Sequence, residues 1–308
     1  MVAVAAPRAR RRRRNLLEGR RFLASALIAP AVLFIAVLVG GPLLLAVYLS
    51  LTDAVGGTLG GEWVGLENFK NAWADPNFRR ALRNTLLFTI VSQAIVLVCA
   101  GLIAHALTRP IRGKWILRFL IILPWAAPVP LSTIGWLWIY DSLFSVVNWF
   151  AKQLHLVDQF NPPQWLGDQT LALAAVTSVH AWRIIPFAVV IFLAGLASIP
   201  AEVDDAAKVD GAIGLKKFWY VTLPLQLPIA TVAVLFGIVF TATDMTVVYI
   251  LTQGGPFNST QMLTSWAYFV GIRGGSLGEG AAISLYLLPL LVVVAVLMLR
   301  FAKKVEVT

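Results

Sequence analysis

Ala201-Glu-Val-Asp-Asp-Ala-Ala-Lys-Val-Asp210-Gly-Ala-Ile-Gly-Leu-Lys-Lys-Phe-Trp-Tyr220-Val-Thr-Leu-Pro-Leu-Gln-Leu-Pro228 is the longest polar interruption in the C-terminal half of a very apolar chain. It opens after Ile199-Pro200 and closes on Leu223-Pro224 and Pro228. Ala206, Ala207, Gly211, Ala212 and Gly214 crowd its middle, and such small residues let one backbone approach another surface closely. Asp210 can cap a helix that starts just after it, and Gly211 permits a bend. The stretch therefore reads as two short helices at a sharp angle, outside the bilayer between two membrane spans. A mobile loop has no need of the small residues, whereas a docking knob does.

The rest of the chain supplies those spans. Of 308 residues 59% are hydrophobic and 13% charged, with mean hydropathy +0.80. A soluble domain of this size carries about a quarter charged residues. Six apolar stretches are long enough for a hydrocarbon core of about 30 Å: Phe22–Leu51, Leu82–Leu107, Trp115–Tyr140, Thr170–Leu196, Ile229–Leu251 and Ala281–Phe301. Backbone groups in lipid must be satisfied within the segment, so these are helices, and the fold class is an all-α polytopic membrane protein with six transmembrane helices.

The net charge of +10 is unevenly spread. Arg10 to Arg14 form a basic block beside the first span, which reads as a topology signal rather than nucleic-acid recognition. With the N-terminus inside, the inner segments hold 18 Lys and Arg against 6 in the outer ones. That bias puts both termini and the 201–228 stretch in the cytoplasm. Cys99 is the only cysteine, so the chain has no thiolate metal cage, and no metal site or catalytic residue is expected.

Ionisable residues inside spans are functional candidates. Arg183 lies three residues after His180, on one helical face, and Asp244 follows Thr243 in the fifth apolar stretch. One reading lines a translocation path with Arg183, Thr243 and Asp244. The other makes Arg183 and Asp244 a structural ion pair and His180 a packed helix residue. Prolines at 124, 128 and 130 predict a kinked third span, suited to a cavity or a moving segment.

The quoted stretch resembles the "EAA" coupling loop of binding-protein-dependent ABC importer permeases. The match runs over Asp205-Ala206-Ala207, Val209-Asp210-Gly211-Ala212, Phe218 and Thr222-Leu223-Pro224-Leu225, with Asp205 where the family usually has Glu. The outer runs Gly65-Leu66-Glu67-Asn68-Phe69, Trp165-Leu166-Gly167-Asp168 and Leu251-Thr-Gln-Gly-Gly-Pro256 look like those of carbohydrate permeases. Over residues 22 to 304 the chain is similar to MalF/UgpA-like subunits, which have the MetI-like fold.

The resemblance implies a division into a basic cytoplasmic tail (1–21), a permease domain (22–304, coupling loop 201–228) and a short C-terminal tail (305–308). It implies a bacterial inner-membrane location and three kinds of partner besides membrane lipid: a second, related permease subunit, two ATPase subunits, and an extracytoplasmic solute-binding protein. ATP and Mg would sit on the ATPases, since this chain has no Walker A motif. By the same resemblance, Asp205, Ala206, Ala207, Asp210, Gly211, Ala212, Phe218, Leu223 and Pro224 contact the ATPase. Phe187, Thr243 and Asp244, with Arg183, face a sugar or sugar-like substrate, and a glycerophosphodiester stays open because Arg183 would favour a phosphate. The rivals are a permease of another ABC importer branch, an ion-coupled secondary transporter using Asp244 and Arg183, and a membrane enzyme. The three scattered histidines, His105, His155 and His180, argue against the enzyme.

Overall fold

The computed structural model describes residues 20–58 and 60–306. The Arg10–Arg14 block and nearly all of the expected 1–21 tail lie outside the described residues. The chain divides into two compact units, one ending at Tyr48 and one beginning at Leu49. The first consists of helix α1 (Arg20–Ile35), a π-helical turn (Ala36–Gly40) and most of α2 (Gly41–Ser50).

The second unit is helical throughout its packed part. In order come α3 (Glu67–Ala74), α4 (Pro76–Thr108), α5 (Lys114–Ala126), α6 (Val129–Ile139), α7 (Val146–Gln153), α8 (Gln169–Ala197), α9 (Ala201–Val209) and α10 (Gly214–Lys217). A π-helical turn (Phe218–Thr222) joins α10 to α11 (Leu223–Thr243), followed by α12 (Thr246–Leu251) and α13 (Leu263–Tyr268). A further π-helical turn (Phe269–Arg273), α14 (Leu277–Leu285) and α15 (Leu287–Glu306) complete the unit. Among the described residues five helical stretches are long and apolar enough to cross a membrane, or six if α5 and α6, bent by 98°, form one span.

The bend has a local cause. Ala127 precedes Pro128, is extended (ψ 139°) and ends α5, as a residue before proline does. The largest differences from the sequence reading are at the two boundaries of the fifth span. The fifth span begins at Gly214 rather than Ile229, because α10, the π turn and α11 run on without a loop. It also ends at Thr243 rather than Leu251, because the Asp244 carboxylate accepts the Thr246 amide at 2.8 Å and starts a new helix. Asp244 thus stands at a helix break, not in the middle of a continuous span.

The core is built on helices that come close. Val96, Ala100 and Ala104 of α4 recur every fourth residue and meet Ala181, Ile184 and Ala188 of α8. Small residues at that spacing let membrane helices approach, where dispersion contacts replace the hydrophobic drive. Toward the ends of α4 and α8 farthest from α9, Phe88, Val176, Val179 and Met262 form a second cluster, and Phe78, Ala81, Leu263 and Ile283 a third.

At one crossing the contact is backbone on backbone. A Cβ on Gly280 would strike Gly271 Cα, 2.8 Å from the Gly271 nitrogen and 2.9 Å from the Ala267 carbonyl oxygen. None of these atoms can rotate away. Gly280→Ala is expected to destabilise the protein by about 1–3 kcal/mol. A thermal melt of detergent-purified protein checks this, and an unchanged midpoint would refute the contact.

The loop after α12 is tied down rather than loose. Asn84 Nδ2 donates to the carbonyls of Ser259 (2.7 Å) and Gln261 (3.1 Å), and Arg80 Nη1 to that of Phe257 (2.8 Å). Asp75 caps α4 through the amides of Asn77 and Phe78 and accepts from Trp266 Nε1 at 3.1 Å. The far end of the unit is thereby a fixed rim.

Candidate functional site

Two sites emerge, one just past the C-terminal end of α8 and one at its middle. The first is the elbow formed by α9 and α10. α9 ends when Asp210 takes the C-cap position, and Gly211 follows with φ +68°. Gly214 opens α10 with φ +58°. Two left-handed residues three apart turn the chain back toward the membrane, a conformation glycine adopts without penalty. Asp210 does not cap the following helix, as its position in the sequence suggests, because Ile213 occupies that N-cap. Likewise Pro224 sits in the first turn of α11 and Pro228 inside it, so the turn is set by the glycines and not by these prolines.

The small residues divide by face. Ala207 and Ala212 are buried, joined by Ala212 N to Ala207 O at 2.8 Å, while Asp205, Ala206, Asp210 and Gly211 are exposed. Phe218 is half-buried, edge-on to His105 at 5.2 Å, Leu223 is half-buried, and Pro224 is exposed. Lys208 bonds Asp204 (3.0 Å) and Asp205 (2.9 Å), and Lys217 pairs with Asp204 across the elbow. The sequence reading placed Val209 in the motif but counted neither it nor Ile213 and Leu215 among the contact residues, and the three are 88%, 70% and 77% exposed at the tip. Their signal was present as large apolar residues inside an otherwise polar stretch. Exposed apolar side chains around a charged centre suit burial against a partner.

The second site is a buried ionic cluster where α8 meets the α11 break. Asp244 Oδ2 accepts from Arg183 Nη2 and lies 2.9 Å from His180 Nδ1. His180 is fully buried, and its Nε2 lies 2.9 Å from Thr241 Oγ1. Thr241 in turn is 2.7 Å from the Gly237 carbonyl and accepts from Gln93 Nε2 at 2.8 Å. Its single hydroxyl proton goes either to Gly237 or to His180, so the state of the imidazole and the rotor of Thr241 are linked. Gly237 leaves room for this arrangement, because a Cβ there would overlap the Gln93 amide. The cluster joins α4, α8 and α11 through groups up to 148 residues apart.

The expected path residues separate. Arg183 and Asp244 pair with each other through Nη2, while Arg183 Nε is buried without a hydrogen-bond partner, and Thr243 is exposed with its hydroxyl bonded to the Val239 carbonyl at 2.7 Å. Phe187 stacks on Trp125 with centroids 5.1 Å apart and planes at 25°. Phe240 and Phe236 meet Phe187 edge-on at 5.4 and 6.3 Å. Trp125 and Phe236, neither singled out by the sequence reading, hold the open faces of this aromatic group, at 41% and 47% exposure.

Comparison with known proteins places this geometry. Residues 97–307 match the family model described as binding-protein-dependent transport system inner membrane component. The chain is 30% identical over 292 residues to the sulfoquinovosyl glycerol transport system permease protein SmoG of Agrobacterium fabrum, covering 92% of each chain. It is 28% identical to the sn-glycerol-3-phosphate transport system permease protein UgpA of the same organism, covering 94% of this chain and 98% of that one. It shares its fold with a crystal structure of a bacterial alginate ABC transporter in complex with alginate pentasaccharide-bound periplasmic protein. There the TM-score is 0.79 and the identity 16%, over 93% of this chain and 96% of that chain.

Proposed function

We propose that this chain, which belongs to the family of binding-protein-dependent transport system inner membrane components, carries a sugar or sugar-like solute inward as one permease subunit of an ABC importer. It is a permease subunit and not an enzyme, and hydrolysis belongs to a separate ATPase. The single observation that carries the coupling role is the elbow. Its buried alanines hold it to its own chain, its apolar tip is uncovered, and it continues into the fifth span without a flexible loop. In this reading Asp205, Ala206, Asp210, Gly211 and Pro224, with Val209, Ile213 and Leu215, form the exposed seat for an ATPase, and the buried Ala207 and Ala212 with the half-buried Phe218 and Leu223 support it from beneath rather than touching the partner directly. The complete machine would hold a second permease, two ATPases and an extracytoplasmic binding protein. The Lys and Arg bias supports cytoplasmic termini. The permease domain would span 22–304, between tails 1–21 and 305–308.

The substrate class rests on the relatives and on the aromatic group. Ring faces suit the apolar faces of sugar rings, so Trp125 and Phe187 replace Thr243 as the leading path residues. Arg183 and Asp244 then hold the path's wall in shape.

The test is transport by the complex reconstituted with its co-expressed permease and ATPases, fed by its binding protein with a panel of oligosaccharides and glycerophosphodiesters. Sugar-stimulated ATP hydrolysis is the expected result. Phe187→Ala is expected to raise the half-saturating solute concentration about three- to tenfold, and Phe187→Tyr to leave it near the parent value. Uptake driven by an ion gradient, with no ATPase bound, would overturn the reading.

A further inference from the structure

The end of α4 carries a histidine that neither the elbow seat nor the ionic cluster uses. His105 Nδ1 lies 2.8 Å from the Gly101 carbonyl oxygen, one turn back. A carbonyl only accepts, so Nδ1 carries the ring proton and Nε2 of the neutral ring presents a lone pair. That Nε2 is buried and makes no hydrogen bond. A buried polar atom without a partner calls for one.

His105 is a common wall of two cavities. On one side an apolar groove of about 430 Å³ runs between α4, α11 and α15, with Leu97, Phe192, Leu227 and Met298 along it. On the other a polar cleft of about 510 Å³ opens beneath α9, edged by Thr108, Asp204, Asp205, Lys208 and Lys217. The His105 ring stands between the apolar groove and the zwitterionic cleft.

We propose that the two cavities form one binding site for a single phospholipid whose headgroup bears a primary amine. An acyl chain occupies the groove. The ammonium donates to His105 Nε2 and to the carboxylates of Asp204 and Asp205, and the phosphate lies toward Lys208 and Lys217. The chemistry selects this occupant against the alternatives. A water-soluble ligand would leave the apolar groove wet. A headgroup that is only anionic would meet two carboxylates whose charge the same lysines already balance. A choline headgroup has no N–H to give to Nε2. The site lies directly under α9, so its occupancy bears on the angle of the elbow. None of this rests on the identity of the transported solute.

The experiment uses the full complex with its permease and ATPase partners, delipidated and exchanged into phosphatidylethanolamine, its N-methyl and N,N-dimethyl derivatives, phosphatidylcholine or phosphatidylglycerol of equal chain length. Retained lipid is counted by native mass spectrometry. The wild type is expected to hold the primary-amine lipid at least about tenfold better than the choline lipid, with the loss complete at the trimethyl step. His105→Phe, which keeps the edge contact with Phe218, is expected to erase that preference, and Met298→Trp to lower retention of all five. The methylation series needs only wild-type protein, so a variant that fails to insert leaves the proposal testable. Equal retention of amine and choline lipids, a preference for phosphatidylglycerol, or a preference that survives His105→Phe would overturn it.

Discussion

Replacing Asp244 by alanine is expected to cost about 3–5 kcal/mol of stability, the largest loss of any single substitution considered for this protein. Asp244 is 8% exposed and stands between a fully buried His180 and an Arg183 that is 15% exposed. Removing the carboxylate leaves the guanidinium buried without its counter-charge, and takes the cap from Thr246 at the start of α12. Breaking one side of a buried pair costs more than the pair contributes over an apolar replacement, because the orphaned charge bears its full desolvation penalty. The double variant Arg183→Met/Asp244→Ala is therefore expected to recover most of the loss. Thermal melts of the purified permease, read for the parent, both single variants and the double, test this. Equal melting of Asp244→Ala and the parent would show that the cluster contributes nothing to folding.

Gly211→Val is expected to reduce transport at least tenfold while the protein inserts and melts normally. A Cβ at this position would meet no atom within 4 Å, so the effect cannot be a clash. It acts through the backbone. Gly211 holds φ +68°, where a β-branched residue is strained by about 1–2 kcal/mol. That energy is small against the whole fold but large for one exposed turn, which relaxes by changing the angle between α9 and α10. Gly211→Asn separates this account from a steric one, since asparagine is larger than alanine yet tolerates the left-handed region. Retained transport in Gly211→Asn beside lost transport in Gly211→Val is the expected pair. Loss in both would mean that the ATPase needs the bare surface of glycine itself.

The elbow was legible in the sequence because its signals are local. Small residues, a glycine bend and flanking prolines lie within 28 consecutive positions, and helix α9 and the turn follow from them. The apolar tip was not read as a contact surface, because Val209, Ile213 and Leu215 carry no marker that separates an exposed side chain from a packed one. The ionic cluster was half legible. Arg183 and Asp244 stood out as charges in apolar surroundings, and their pairing was one of two open readings. His180 was read as a packed helix residue on the face of Arg183, but its partners Thr241 and Asp244, 61 and 64 residues away, were not legible, because a lone histidine on an apolar helix has no local signature of what it bonds. The fifth span was misplaced for a physical reason. Hydropathy sees the apolar run to Leu251 but not the capping bond that ends a helix at Asp244. It likewise misses the amphipathic half-turns by which α10 joins α11.

That join has a consequence for helical phase. A π turn is an α-helix holding one surplus residue, and each residue of an α-helix advances the chain by about 100° around the axis. The turn at Phe218–Thr222 therefore offsets the azimuth of α11 against that of α10 by that one step. Upstream of it the elbow keeps Lys217 toward Asp204, and downstream Gln226 points at the Phe192 carbonyl and Thr241 at His180. Ordinary helix throughout would bring one of these sets to its partners and turn the other away. Shortening the chain by one residue is tolerable only inside those five positions, where the helix would lose its bulge and keep both azimuths. One residue lost anywhere between Ile229 and Val239 would rotate the rest of the span past its neighbours.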